Sequence, residues 1–84
     1  MSKHLSQKGQ ITTKTLLKRK QDKQKLSMVT CYDAAFASLI DQTDIDMILV
    51  GDSLGNVVLG LKDTIAVTME HMLHHTSAVC RSIT

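Results

Sequence analysis

Two side chains suited to chemistry stand together in this sequence, the carboxylate of Asp52 and the hydroxyl of Ser53, on a turn flanked by Gly51 and Gly55. A carboxylate is a hard oxygen ligand of the kind that Mg2+ prefers. Glycine on either side lets the backbone approach a bound ligand closely. The same residues are also typical of an ordinary turn or cap, because Asp and Ser satisfy free backbone amides. The residue types alone favour this second interpretation.

A predicted strand directly precedes Asp52 and Ser53 and sets their position in the fold. Residues 47–50 are four consecutive apolar side chains, a run typical of a strand that is covered on both faces, as in a parallel sheet. The predicted strand runs from Asp46 to Val50, so Asp52 follows its carboxyl end. Ligand sites in open and closed α/β sheets lie at that end of the strands.

A second strand and a helix are predicted before this one. Residues 26–32 combine apolar and β-branched side chains over the length of a strand. Asp33 is the predicted N-cap of a helix over residues 34–40. That helix is expected to lie on the sheet through the apolar residues of one face, Phe36, Leu39 and Ile40.

A strand, a helix and a strand at this spacing predict a right-handed βαβ unit with parallel strands. The carboxyl ends of both strands then share one rim, which brings Tyr32 and Asp33 close to Asp52 and Ser53. We interpret Tyr32 and Asp33 as a strand end and a helix cap, with no catalytic role.

Further elements are predicted on either side of this unit. Residues 11–18 predict a short helix with a threonine N-cap, and residues 20–25 a polar loop. Residues 56–66 are expected to form a loop whose apolar patch, 57–59, tucks beside the rim. Thr68 caps a final predicted helix. Its apolar stripe recurs at helical spacing, through Met69, Met72, Leu73, Thr76, Val79, Cys80 and Ile83.

The 84 residues divide into a basic leading segment with a short helix, residues 1–25, and two β/α units, residues 26–84. Two parallel strands alone leave unpaired backbone edges and uncovered apolar surface. The expected fold is therefore α/β, the N-terminal βαβα portion of a (β/α)8 TIM-type barrel, and the chain is expected to be a truncated piece of it. A doubly wound sheet is the alternative, because its local units are the same.

The charge distribution bears on partners and localisation. The net charge is +2, with nearly all the lysines in the first 25 residues. No aromatic residues are interleaved there for base stacking, and no apolar run approaches the ~20 residues that cross a bilayer, so neither nucleic acid nor membrane is an expected partner. A cytoplasmic location is expected. A mitochondrial one is the alternative, because residues 1–21 contain no acid.

The cysteines and histidines do not predict a metal site. Cys31 and Cys80 lack metal-type spacing and are expected to be buried, reduced thiols. His71, His74 and His75 are expected to be solvated or packing residues rather than ligands.

Several blocks of the sequence resemble the N-terminal part of the ketopantoate hydroxymethyltransferase family. The resemblance covers roughly residues 12–81 and lies in ordered blocks at the family's spacing. They are residues 28–33, residues 46–60, Val67 with Thr68, and residues 74–79. Ala66 departs from the family pattern, which usually has proline there; this loosens the turn into the last helix and touches no chemistry.

This resemblance implies a (β/α)8 barrel that uses Mg2+ and methylenetetrahydrofolate to add a hydroxymethyl group to 3-methyl-2-oxobutanoate, on the way to pantothenate. The reaction removes a proton beside a ketone, and a cation that is chelated by the oxo acid stabilises the resulting negative charge. By the family pattern Asp52 is a metal ligand and part of the substrate site, and Ser53 holds the oxo acid. The family also implies a homo-oligomer.

The resemblance places the catalytic base, a glutamate, and the other acidic ligands beyond Thr84. No residue of this chain is therefore assigned as catalytic, and the chain alone is expected to be inactive. Two alternatives remain open. One is a different Mg2+-dependent barrel enzyme that acts on phosphoenolpyruvate or a related oxo acid, and the other is a small non-enzymatic interaction module.

Overall fold

The computed structural model describes residues 10–84. Residues 1–9 lie outside them, so this part of the predicted leading segment is not described. The described elements follow one another as α1 (Thr13–Gln21), β1 (Met28–Thr30), α2 (Ala34–Asp41), β2 (Met47–Leu49), α3 (Leu54–Val57) and α4 (Met69–Cys80). None of the helices described in residues 10–84 has the length and apolar character needed to cross a membrane.

The two strands form a parallel pair, as the spacing of strand, helix and strand predicts. Met28 is opposite Met47 and Thr30 is opposite Leu49. One further hydrogen bond extends the ladder beyond the carboxyl ends, because the amide of Cys31 donates to the carbonyl oxygen of Leu49 at 3.2 Å. Both strands are shorter than the predicted spans 26–32 and 46–50. The pairing itself is confirmed, and it fixes the shared rim where both strands end.

Helix α1 begins with a capping box. The hydroxyl of Thr12 accepts from the amide of Thr15 at 3.2 Å, and the hydroxyl of Thr15 accepts from the amide of Thr12 at 3.3 Å. The predicted threonine cap is therefore confirmed, although the helix continues to Gln21 instead of ending near residue 18. The lysines and arginine of its last turn suit the negative end of the helix dipole.

Helix α2 begins where the sequence predicts, because the carboxylate of Asp33 accepts a hydrogen bond from the amide of Phe36 at 2.8 Å. The prediction of its buried face is correct for Ile40 and wrong for Phe36 and Leu39. Phe36 is 63% exposed and Leu39 is 60% exposed, whereas Ala37 is completely buried and Ile40 packs against the core. A methyl side chain at position 37 lets α2 approach α4 closely, so the packed face is centred on Ala37 and Ile40.

The core beside the sheet is small. Cys31, Ala37 and Val79 are buried, and four partly buried apolar residues pack against them, Ile40, Ile48, Val50 and Ile83. Helix α4 contributes Val79 to this core. The apolar stripe that the sequence predicts for this helix is in part wrong, because Met69, Leu73 and Cys80 are exposed. Helix α4 packs against α2 and, through Val79, against Cys31 beside the sheet.

The segment after β2 is more ordered than predicted. Helix α3 occupies residues 54–57, where a loop from residue 56 was expected. Leu54 and Gly55 are buried, and a Cβ added to Gly55 would lie 2.4 Å from a methyl carbon of Val67. The apolar patch 57–59 is exposed rather than tucked beside the rim. The helical turn directs Leu54 inward and leaves residues 57–59 at the surface.

An ion pair holds α1 to the amino end of β2. The guanidinium of Arg19 donates to the carboxylate of Asp46 and, at 2.7 Å, to the carbonyl oxygen of Lys25. The same carboxylate accepts from the amide of Ser27 at 3.0 Å and from its hydroxyl at 3.3 Å. Burial acts to raise the pKa of Asp46, but the hydrogen bonds from Ser27 and the charge and hydrogen bond of Arg19 outweigh it and lower that pKa below its ordinary value.

Candidate functional site

The candidate site lies at the carboxyl ends of the two strands. Asp52 stands three residues beyond the last residue of β2, in a turn whose backbone bonds run from Leu54 to the carbonyl of Gly51 at 3.2 Å and from Gly55 to the carbonyl of Asp52 at 3.0 Å. The predicted position of Asp52 at the carboxyl end of its strand is therefore confirmed.

The side chains of this turn are not used to close it. Ser53 occupies the N-cap position of α3, yet its hydroxyl makes no capping hydrogen bond. The side chain of Asp52 is exposed, and within residues 10–84 its carboxylate takes part in no hydrogen bond or ion pair. The turn is held by backbone bonds alone, so the carboxylate of Asp52 is available to a ligand and the hydroxyl of Ser53 is left to bond outside the turn.

The hydroxyl of Ser53 has a partner across the rim, the phenolic hydroxyl of Tyr32. Both residues are half-buried. The sequence correctly places Tyr32 and Ser53 at one rim, but it does not predict this bond, and Tyr32 was interpreted as no more than a strand end. The available signal was a hydroxyl-bearing aromatic residue two positions beyond β1, which makes Tyr32 a candidate for the rim but does not identify its partner. Asp33, its neighbour, is confirmed as a cap.

One histidine also reaches the rim. Nδ1 of His75, on α4, lies 2.7 Å from the carbonyl oxygen of Tyr32. A carbonyl can only accept, so Nδ1 carries a hydrogen and donates it. The ring of His74 meets His75 edge to face, with 5.2 Å between centroids. His71 caps its own helix, accepting from the amide of Thr68 at 3.0 Å.

The cysteines differ in environment. Cys31 is buried and its thiol donates to the carbonyl oxygen of Asp33 at 3.4 Å. Cys80 is exposed, so the prediction that both thiols are buried is wrong for this residue. It lies outside the packed side of α4, next to Val79. Both thiols are free of disulfide bonds.

The rim provides one ligand for a cation rather than a complete set. Residues 10–84 contain no group of three or more His, Cys, Asp or Glu side chains placed to hold a metal ion. Asp52 supplies a single exposed carboxylate without a competing partner in this range. Mg2+ commonly takes one or two protein carboxylates and completes its octahedral shell with water and substrate oxygens. Asp52 therefore fits Mg2+ as one member of its ligand set.

A cavity of about 210 Å³ lies at the opposite end of the strands, lined by residues of α2 and the start of β2, among them Ile40, Asp41, Asp46 and Met47. Neither Asp52 nor Ser53 lines it. The carboxylate of Asp46 is already engaged by Arg19 and Ser27, and that of Asp41 accepts from the amide of Thr84 at 3.3 Å. The polar groups of this cavity hold the fold together, so we do not assign the functional site to it.

Residues 10–84 match the family model described as "Ketopantoate hydroxymethyltransferase". Three curated relatives bear the name 3-methyl-2-oxobutanoate hydroxymethyltransferase. The relative from Syntrophomonas wolfei is 52% identical over 88% of this chain, that from Aromatoleum aromaticum 55% over 80%, and that from Halalkalibacterium halodurans 57% over 83%. The matched stretch spans about a quarter of the length of each, 27%, 25% and 25% respectively.

Proposed function

The chain belongs to the ketopantoate hydroxymethyltransferase family, and from this premise we propose that the protein carrying it transfers a hydroxymethyl group from methylenetetrahydrofolate to 3-methyl-2-oxobutanoate, giving ketopantoate. The chain corresponds to about a quarter of its relatives, so the proposal concerns the whole protein. The 84 residues alone are proposed to be inactive.

The observation that carries this proposal is a pair of polar side chains at the carboxyl end of β2 that the turn itself does not use. Asp52 and Ser53 are adjacent, and neither caps the turn that holds them. An ordinary turn would use such side chains on its own amides. A turn that leaves them available at the ligand-binding end of a parallel sheet supports a role in binding.

Asp52 is the proposed ligand for Mg2+. When bound, this cation supplies Lewis-acid chemistry, withdrawing electron density from the oxygens of a chelating 2-oxo acid. The exposed carboxylate of Asp52 needs no rearrangement to take part, because it has no partner to give up within residues 10–84. Its place at a strand end, on backbone held by two hydrogen bonds, limits how far it can move.

Ser53 is the proposed contact to the oxo acid. Its hydroxyl bonds to that of Tyr32, and where its oxygen is the acceptor in that bond, its hydrogen can be donated to a carboxylate oxygen. Together Asp52 and Ser53 form the proposed substrate-binding residues of this chain. The general base and the remaining acidic ligands are proposed to come from other parts of the protein.

The proposed architecture is the N-terminal βαβα portion of a (β/α)8 barrel. It is supported by the parallel pairing of β1 with β2 and by the helix that follows each strand. The proposed division is a leading segment, residues 1–25, and two β/α units, residues 26–84. A homo-oligomeric protein in the cytoplasm, with a mitochondrial location as the alternative, stays a prediction.

The experiment is a turnover assay with 3-methyl-2-oxobutanoate, methylenetetrahydrofolate and Mg2+. We expect the full-length protein to form ketopantoate and the isolated 84-residue chain to form none above the uncatalysed rate. Replacing the oxo acid with phosphoenolpyruvate tests the alternative barrel enzyme, and we expect no turnover of it. A sharp thermal transition of the isolated chain as a monomer would favour the interaction module instead.

A further inference from the structure

We propose that Tyr32 is a positioning residue: its hydroxyl fixes the direction of the Ser53 hydroxyl, so that the pair presents one hydrogen-bond donor to the carboxylate of a bound 2-oxo acid. This inference deepens the proposed function and rests on it. It starts from the contact between Tyr32 and Ser53, which joins the ends of the two strands across the rim.

The hydrogens of the pair can be counted. Two hydroxyls carry two hydrogens and several lone pairs, and the bond between them uses one hydrogen. A phenol is a more acidic donor than an aliphatic alcohol, so Tyr32 donates and the oxygen of Ser53 accepts. The hydrogen that remains belongs to Ser53. It is the only hydrogen the pair can still offer to a ligand, and it suits an acceptor such as a carboxylate.

The bond also limits rotation of the Ser53 hydroxyl. A serine hydroxyl turns freely to suit its surroundings, and fixing it on binding costs entropy. Ser53 has no capping bond to hold its side chain, so Tyr32 provides the constraint within the described residues. The donor is then aimed before the ligand arrives, which is how preorganisation raises affinity.

Tyr32 can provide this constraint because its own backbone is fixed on two sides. Cys31, the residue before it, donates its amide to Leu49 of the neighbouring strand at 3.2 Å. The carbonyl oxygen of Tyr32 itself accepts from Nδ1 of His75 on α4 at 2.7 Å. Strand β1 and helix α4 therefore fix the base of the aromatic side chain, and its hydroxyl reaches across to the end of β2.

The test is a double-mutant cycle that measures affinity rather than turnover. Binding of 3-methyl-2-oxobutanoate in the presence of Mg2+ is measured by titration calorimetry for the full-length protein and for Tyr32→Phe, Ser53→Ala and the double variant. We expect Tyr32→Phe to raise the Kd by up to about tenfold, the scale of the entropy cost of ordering one side chain on binding. In the Ser53→Ala background the same substitution is expected to change the Kd less than twofold, because Tyr32 acts only through Ser53.

Ser38→Ala is the control, since it removes an exposed hydroxyl from α2, away from the rim, and should leave the Kd unchanged. Equal effects of Tyr32→Phe in both backgrounds, or none in either, would overturn the proposal. Loss of affinity with a matching loss of thermal stability would also overturn it, because a merely structural role predicts that result. If the wild-type protein binds the oxo acid without forming ketopantoate, the proposed function fails and the cycle still decides the role of Tyr32. If it does not bind the oxo acid, both fail.

Discussion

The ring of His75 donates a hydrogen bond from Nδ1 to the carbonyl oxygen of Tyr32 at 2.7 Å, joining the middle of helix α4 to the end of strand β1. The two residues are 43 positions apart in the sequence. The carbonyl at a strand end would otherwise lack a partner in the ladder, and a half-buried unpaired carbonyl is costly. His75 thus supports the backbone that carries the Tyr32 hydroxyl to Ser53.

We predict that His75→Phe, which keeps an aromatic ring and removes the donor, lowers the free energy of unfolding by about 1–2 kcal/mol. Urea denaturation of the full-length protein measures it. The matched control is His74→Phe, because His74 is exposed and its ring makes no hydrogen bond within residues 10–84. We expect a change of less than about 0.5 kcal/mol for this control. Equal losses from both variants would show that the bond to Tyr32 contributes nothing specific.

The ion pair between Arg19 and Asp46 predicts a pH dependence of stability. The pKa of Asp46 in the folded chain lies below the ordinary value of 3.8. A carboxyl group whose pKa is lowered by folding stabilises the fold above its unfolded pKa, and this stability is lost as the pH falls through the folded pKa. Stability from this group should therefore be constant from neutral pH to about pH 5 and decline in more acid solution. Thermal melting between pH 2 and 7 measures it, and the decline should be shallower in Asp46→Asn.

Asp46→Asn should also destabilise the protein at neutral pH, by about 1–3 kcal/mol, because Arg19 and Ser27 lose a charged acceptor. The side chain of Asp46 is only 6% exposed, so water replaces little of what is lost. Asp22→Asn is the matched control, since its pair with Lys18 at 3.6 Å is exposed on α1. Such surface pairs contribute about 0–1 kcal/mol. A control as destabilising as Asp46→Asn would contradict the assigned role.

Gly55 is predicted to tolerate no side chain. Gly55→Ala places a Cβ 2.4 Å from a methyl group of Val67 and should cost about 1–3 kcal/mol through overpacking. Adding Val67→Ala makes room for it and should recover part of the loss. Gly51→Ala is the control, because the nearest side-chain atom, on Leu49, is 3.8 Å away. Thermal denaturation measures the stability of each variant. If the double variant is no more stable than Gly55→Ala alone, the steric explanation is refuted.

The features that the sequence predicts correctly are local. Thr12, Asp33 and Thr68 each begin a helix through a bond to a residue three positions on. The apolar run 47–50 correctly predicts the strand β2, but the expectation that both of its faces are covered is wrong, because Leu49 is exposed and Met47 and Ile48 are only half-buried. The predicted rim follows from the strand order alone. These features depend on contacts between residues that are close in the sequence, so the sequence pattern can predict them.

The features that it misses depend on tertiary packing. The exposed faces of α2 and α4 could not be predicted because periodicity shows that a helix has an apolar face, not which neighbour covers it. Ala37 rather than Phe36 is buried because a small residue suits the approach to α4. The contacts of Tyr32 with Ser53 and His75 span 21 and 43 positions, and no local pattern indicates them.

Asp52 is proposed as a ligand for Mg2+ in the whole hydroxymethyltransferase. The most direct measurement is kcat/KM for ketopantoate formation by the full-length protein and its Asp52→Asn variant. We expect a loss of about a hundredfold or more, because the amide cannot replace a charged ligand. The matched control is Asp63→Asn, whose side-chain oxygen can still accept from the amide of Ile65 and which should keep full activity. An Asp52→Asn variant as active as this control would contradict the claim.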